Sequence, residues 1–418
     1  MALQIWIGLL VLVTLVWLTR HIELARGARR LVTLRPADGA IPPVDPPPVS
    51  VLVAAKDEEA NIATCAATLL KQNYPRYELI IIDDRSTDRT SQILRDIQKS
   101  DRNGSKLRVL NVQELPAGWA GKNNAMRMGI ETATGEWYLL SDADCRQTCD
   151  ATISAVMNYV QREKVDMLSV LPVLDTQTPW EKIIQPVAGA VMVLWFNPMR
   201  VNNPASRAAY ANGAFILIRR DVYEKLGGHA AVRNQLNEDL HMAKLAKQNG
   251  FRLRVVQNDG LYLTRMYRNF RETWRGWSRI FYGCFGTVRQ LLISAAVLLV
   301  MSLLPWISML VGWGAIAAQA PGDWDWLTFV STLAVAAQLS VLVRYFMLTK
   351  ADVRYVITWP VGAALCLGML FSAILKTLGL TGTAWRGRVY HQGRQSPTAE
   401  KQPAPTPARQ APSQEVRS

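Results

Sequence analysis

Hydrophobic positions follow two rhythms along this chain. Four stretches are apolar throughout: residues 2–19, 291–319, 326–343 and 355–375 carry no charged side chain. The first, ALQIWIGLLVLVTLVWLT, would reach about 27 Å as a helix, close to the thickness of the bilayer hydrocarbon. It lacks the basic start and small-residue cleavage site of a removable leader, so it predicts an uncleaved anchor. Between these stretches, short apolar runs of strand length alternate with helical segments. SVLVAA (50–55), ELIIIDD (78–84), LRVLNV (107–112), EWYLLSDAD (136–144) and VDMLSVLPV (165–173) predict strands. Residues 58–72, 88–99, 122–132 and 237–250 predict helices among and after them. Continuous apolar strands alternating with helices predict an α/β domain whose mostly parallel, Rossmann-like sheet is covered on both faces.

The expected organisation is a transmembrane anchor (1–20), a basic juxtamembrane segment with a stiff Pro-rich linker (21–48), the α/β domain (49–264), an amphipathic helix (265–289), a C-terminal bundle of transmembrane helices (290–376) and a basic, disordered tail (377–418). The amphipathic helix rests on Tyr267, Phe270, Trp274, Trp277 and Phe281, spaced three or four apart, with Arg268, Arg271, Arg275 and Arg279 flanking them. That pattern predicts a helix lying in the bilayer interface. Residues 183–196 are apolar but short and interrupted by Pro and Gly; an acceptor-side helix resting on the membrane is the expectation.

Charge changes the picture once it is located. The net charge of +14 looks at first like a nucleic-acid signature. Residues 36–261, however, hold 26 basic and 26 acidic side chains. The excess sits in 20–35, 262–289 and 376–418, beside apolar stretches. This suits an anionic membrane leaflet and argues against nucleic acid. The basic side of each span places 20–290 in the cytoplasm, as for a protein of a bacterial inner membrane. Four simple spans would leave the basic tail outside, so either Pro305 or Pro360 breaks a span into a re-entrant segment or the tail departs from the rule. Five scattered cysteines and four histidines form neither a disulfide framework nor a zinc pattern.

Two predicted strands end in paired acids, Asp83-Asp84 and Asp142-Ala143-Asp144. Ligands of such sheets bind at the carboxyl ends of strands. Acids converging there need a counter-charge, and a hard divalent cation bound through carboxylates and substrate phosphates supplies one. No phosphate-cradling glycine loop is present: GWAGKNNA (118–125) lacks the spacing of one. A third pair, Glu238-Asp239, sits behind Asn237 at a predicted helix start. It reads either as acids favouring the helix dipole or as a general base for a hydroxyl nucleophile.

AAKDEEANI, IIIDDRSTD, GKNNAM, SDADC, NGAFILIRR, GGH and EDL, in that order, resemble the GT-A fold of inverting family 2 glycosyltransferases, and with the membrane segments they resemble ceramide, hopanoid or carotenoid glycosyltransferase-like proteins. The resemblance implies donor contacts by Asp57, Glu58, Asp84, Lys122 and Asp142. It implies a DXD motif in Asp142 and Asp144, with Asp144 the favoured ligand of Mg²⁺ or Mn²⁺. It implies that Asp239, beside Glu238, is the catalytic base. The implied partners are a nucleotide sugar, most simply UDP-linked, and a lipid or lipid-linked acceptor. His229 either touches the acceptor or ends a turn. Arg275, Trp274 and Trp277 are acceptor-side or interface candidates. The (Q/R)xxRW motif of processive synthases, and of ceramide glucosyltransferases too, is not intact, since Gly276 separates Arg275 from Trp277 in RETWRGW. A processive polysaccharide synthase and an inactive scaffold of the same fold are the competing readings.

Overall fold

The computed structural model describes residues 1–100 and 106–381, and the backbone of three short strands beyond them. Eleven strands precede that end: β1 (Thr33–Leu34), β2 (Val49–Ala55), β3 (Tyr77–Asp83), β4 (Leu107–Asn111), β5 (Trp137–Asp142), β6 (Cys145–Gln147), β7 (Met167–Leu171), β8 (Val173–Leu174), β9 (Phe215–Arg219), β10 (Leu253–Asn258) and β11 (Tyr262–Thr264). Eight of them form one sheet in the order β1-β10-β7-β9-β5-β2-β3-β4. Only β9 runs antiparallel to its neighbours, β5 and β7. β6, β11 and β8 form a small second sheet beside it.

Alternation along β2 shows why the sheet is buried on both faces. Val51 and Val53 pack with Leu79, Ile81 and Leu139 under the helices Ile62–Leu69 and Thr152–Glu163. Leu52 turns the other way, with Ile80, Ile82 and Leu140, under Gly121–Thr132 and Glu238–Gln248. In the register, Ala54 lies opposite Asp142 and Ala55 opposite Asp83. The paired acids of β3 and β5 therefore flank the residues that leave β2, namely Lys56, Asp57 and Glu58.

The Pro-rich segment is docked on the domain, where composition suggested a spacer. β1 pairs with β10, and Gly39 lies so close to Ala151 and Ala155 that any side chain there would collide with their backbone. Asn158 Nδ2 donates to the carbonyls of Asp38 and Ile41, and Tyr74 OH donates to that of Pro47. Side chains from distant elements thus take up carbonyls that a free polyproline segment would leave to water.

Among the described residues four helices are long and apolar enough to cross a membrane: Ala2–Arg30, Val288–Ala317, Trp324–Leu348 and Val353–Thr377. The anchor helix runs ten residues past its expected end and packs along Trp324–Leu348. Trp17 Nε1 donates to the carbonyl of Met301 and Trp6 Nε1 to Ser308 Oγ. Pro305 does not break its helix. A π-helical turn at Leu299–Leu303 precedes it, and Leu304 N–H reaches back five residues to Leu299. Pro360 sits in the first turn of Trp359–Thr377, where no helical hydrogen bond is lost. Part of the expected disordered tail pairs instead as antiparallel strands, Thr383–Trp385, Arg388–His391 and Arg394–Gln395; residues 396–418 lie outside the described residues.

The helix Phe270–Phe285 forms as expected, but its aromatic face is core. Trp277, Phe281 and Phe285 are buried with Ile184 and Val187 of the helix Pro179–Trp195 and with Ala363 and Cys366 of the last helix. Partner helices, not lipid, cover that face, and the helix joins the α/β domain to the apolar bundle.

Candidate active site

The strand ends gather the acids at one edge of the sheet. At β3, Asp83 is buried and fully engaged: Oδ1 accepts from Ser86 N–H at 3.1 Å and Oδ2 from Ser91 Oγ. Asp84 is buried against Arg85, whose Nε donates to it at 2.9 Å. The Asp84 carboxylate fills the space where a side chain at Gly121 would stand. Asp57 Oδ1 accepts from Thr87 N–H at 2.7 Å, and Glu58 N–H donates to Thr90 Oγ1 at 2.7 Å. Asp57 and Arg85 both hold φ near +55° (54° and 56°), a backbone that only tertiary contacts stabilise in such residues. These bonds fasten the turns after β2 and β3 to each other.

At β5 the acids are only partly answered. Lys122, in the first turn of Gly121–Thr132, places Nζ 2.6 Å from Asp142 Oδ1 and 2.8 Å from Glu238 Oε1. Burial opposes its charge, but Asp142 and Glu238 outweigh burial and hold the ammonium well above the usual lysine range. This side chain ties the end of β5 to the start of the helix Glu238–Gln248. Asp239, next to it, accepts from Gly213 N–H at 2.9 Å and Leu240 N–H at 2.7 Å. Burial, then the charge of Glu238, pushes the Asp239 carboxyl up to about 7, against the pull of Lys122 and the two N–H groups. Asp144 is pushed up to about 8, first by burial and then by Asp142 and Glu58. Its side-chain neighbour at hydrogen-bonding range is a weak one, Cys145 Sγ at 3.8 Å.

Asp142 and Asp144 also line a cavity of about 480 Å³. It runs from the strand ends between the helices Pro179–Trp195 and Phe270–Phe285 to the end of Trp324–Leu348. Asp142 and Asp144 thus share one cavity with apolar helix residues such as Met192, Val193 and Met347, and with the charged Lys182, Asp259, Lys350 and Asp352.

Residues 50–227 match the model for glycosyl transferase family 2. The chain carries a family 2 glycosyltransferase domain. It is 34% identical over 186 residues to a beta-monoglucosyldiacylglycerol synthase of Nostoc sp., covering 44% of this chain and 38% of that protein. It is 25% identical over 179 residues to a poly-beta-1,6-N-acetyl-D-glucosamine synthase of Staphylococcus epidermidis, covering 43% of this chain and 41% of that protein. The chain therefore spans well under two thirds of the length of these relatives. A mannosyltransferase from Pyrobaculum calidifontis, solved with GDP-Man and Mn²⁺, shares the fold with a TM-score of 0.53 at 18% identity, over 89% of this chain and 99% of that one. The α/β domain has the GT-A fold.

In the glycosyltransferase domain the structure brings Asp57, Glu58, Asp84, Lys122, Asp142, Asp144, Glu238 and Asp239 to one edge. His229 stands apart from the cavity. The turn at Gly227 and Gly228, with φ of 79° and 52°, carries it inward. There it is buried with Nδ1 2.8 Å from Tyr223 OH. Burial and then Lys122 push its ring down to about 3, so it stays neutral behind the Lys122–Glu238 pair. Arg275 is exposed, and Trp274 packs on Gly368 of the last helix. Trp277 alone of this group lines the cavity. Gly276 separates it from Arg275 because the Tyr267 ring occupies the place of any side chain there. Two contributors escaped the sequence reading. Gly213 N–H, in the loop before β9, depends on a strand that was not foreseen. Gln185 lies in the apolar run 183–196, and a lone polar letter there was its one signal.

Proposed function

We propose that the protein transfers a sugar from a nucleotide sugar, UDP-linked, to a hydroxyl of a lipid or lipid-linked acceptor, with inversion and with the glycosyltransferase domain on the cytoplasmic side of the membrane. The observation that carries this reading is the cavity that joins Asp142 and Asp144 to the apolar helices. A donor held at the strand ends and an acceptor coming from the bilayer would meet in it.

The chain's own groups supply the chemistry of the acceptor side. Asp239 takes the proton of the acceptor hydroxyl. The hydroxyl oxygen then bonds to the anomeric carbon from the face opposite the bond to the diphosphate oxygen. That bond breaks, and its electron pair leaves with the nucleoside diphosphate. Gly213 and Leu240 N–H groups fix the Asp239 carboxylate, and Lys122 holds Glu238 and Asp142 in place around it. Asp57, Glu58 and Asp84, carried by two turns that are bonded to each other, form the nucleoside side of the site.

A divalent cation fits the donor set. Asp144 is a half-buried carboxylate beside two other acids, and positive charge next to it would relieve what pushes its pKa up. Among the described residues no three carboxylate, histidine or cysteine side chains form a ready cage, so the remaining ligands would be diphosphate and water oxygens. Asp144 and Asp142 would hold Mg²⁺ or Mn²⁺, whose Lewis acidity would stabilise the departing diphosphate.

Membranes containing the protein, given radiolabelled UDP-sugars and then extracted with organic solvent, should yield a labelled lipid. Asp239→Asn should lower that yield about 10²–10⁴-fold; undiminished transfer would remove Asp239 from the role. Processive polymerisation is the second reading, favoured by the likeness to the polysaccharide synthase. It would put the label in long, extraction-resistant chains.

A further inference from the structure

Two buried polar side chains on the cavity wall have nothing to bond. Gln185 is 2% exposed, and neither its Oε1 nor its Nε2 has a hydrogen-bond partner among the described residues. Trp277 is 6% exposed, and its Nε1–H is likewise unanswered. Both line the cavity that begins at Asp142 and Asp144. Buried polar groups are nearly always satisfied, and the few that are not call for an explanation. A second glutamine buried among the apolar helices supplies the contrast. Gln338 Oε1 accepts from Trp306 Nε1 at 2.6 Å, and its Nε2 donates to the Met301 carbonyl at 2.9 Å. Gln147, 5% exposed on the small second sheet, is left unanswered as Gln185 is, but it does not line the cavity. Gln185 differs in belonging to the wall of a space large enough for a ligand.

The charges on that space narrow the ligand. Three cationic side chains line it, Arg35, Lys182 and Lys350. Each is already paired: Arg35 with Asp259 at 3.1 Å, Lys350 with the same Asp259 at 3.2 Å, and Lys182 with Asp352 at 3.4 Å. The floor adds Asp142 and Asp144. Among the described residues every cation on the wall already faces a carboxylate, Arg35 and Lys350 sharing one, and a lipid phosphate would also face Asp142 and Asp144. An uncharged head bearing hydroxyl and carbonyl oxygens suits an amide, which both donates and accepts, and an indole N–H, which donates. Val193 and Met347, both exposed, line the same cavity and give it an apolar margin.

We propose that Gln185 and Trp277 form the acceptor subsite, which takes the head of an uncharged lipid alcohol of the diacylglycerol kind and positions its free hydroxyl toward the acids. This rests on the glycosyltransferase reading for its catalytic meaning, but binding can be measured without turnover.

The test uses the full chain in phosphatidylcholine nanodiscs, with fluorescent diacylglycerol and undecaprenyl phosphate as probes. Wild type should bind diacylglycerol at least tenfold more tightly than undecaprenyl phosphate. Gln185→Leu should weaken diacylglycerol binding about tenfold, about 1.4 kcal/mol, and Trp277→Phe about threefold. UDP affinity should stay unchanged in both, which also shows that the fold is kept. Where turnover is measured, the acceptor KM should rise in Gln185→Leu and the donor KM should not. Tighter binding of undecaprenyl phosphate, no diacylglycerol binding by wild type, or equal binding by wild type and Gln185→Leu would each overturn the subsite. If the binding pattern holds but no UDP-sugar is ever transferred, the subsite stands and the transfer reading falls.

Discussion

The ends of β3 and β5 look alike as text, each an apolar run closing on two acids, yet they are physically unlike. At β3, Asp83 takes the hydrogens of Ser86 and Ser91, and Asp84 takes those of Arg85. Both are buried and both are answered. At β5, Asp142 is answered by Lys122, which it shares with Glu238, while Asp144 is left among like charges. Deep burial is tolerable for a carboxylate whose lone pairs are occupied and costly for one whose are not. The answered pair builds a rigid wall; at β5, Asp144 is where an external charge has something to gain.

That contrast can be broken by mutation. The largest effect should come from Asp144→Asn, which should cut transfer by about 10³-fold, several kcal/mol at the transition state. It should also abolish any rise in Tm that MnCl₂ with UDP produces in wild type; a persisting rise would place the cation elsewhere. Next, Lys122→Met leaves Asp142 and Glu238 without their shared partner. Transfer should fall about 10²-fold through misplacement of both, in a steady-state assay, with the protein still folded by circular dichroism.

The pH profile sharpens the same comparison. Asp239 must be ionised to act, and burial with Glu238 raises its pKa to about 7. Its base form is therefore lost as pH falls through that value. kcat/KM should rise about tenfold per pH unit below 7 and level off above it. Glu238→Gln removes the like charge and should move the limb to lower pH; an unmoved limb would assign it to another group. The smallest effect on turnover should come from Asp83→Asn. Its cost should appear as stability, about 1–3 kcal/mol for the orphaned partners, read as a lowered Tm with the acceptor KM unchanged.

Sequence made the central strands legible because β2, β3, β5 and β7 are buried on both faces and read as unbroken apolar runs. β10 escaped because LRVVQN mixes polar and apolar positions. β9 lay unassigned within a motif, although FILIR is apolar, and its antiparallel direction is a property of the sheet rather than of five letters. The paired acids of β3 and β5 stood out on electrostatic grounds, while Asp57, Glu58 and Lys122 entered through the motif resemblance alone. Nothing near GKNNA tells that Glu238, over a hundred residues on, stands within 3 Å of the Lys122 ammonium. The aromatic stripe from Tyr267 to Phe281 was seen, but periodicity gives a face and not its covering. The Pro-rich segment was misjudged in the same way, since Tyr74 and Asn158, which capture its carbonyls, come from other elements.

Gly213 has a consequence of a different kind. A Cβ there would lie 3.1 Å from Lys122 Nζ and 3.3 Å from Asp239 Oδ2. An alanine methyl would press on both charged groups, and each would have to give by a few tenths of an ångström. One letter in the loop before β9 thereby becomes a diagnostic: a sister chain that keeps every acid but bears a methyl group at this point should have lost the alignment those acids depend on.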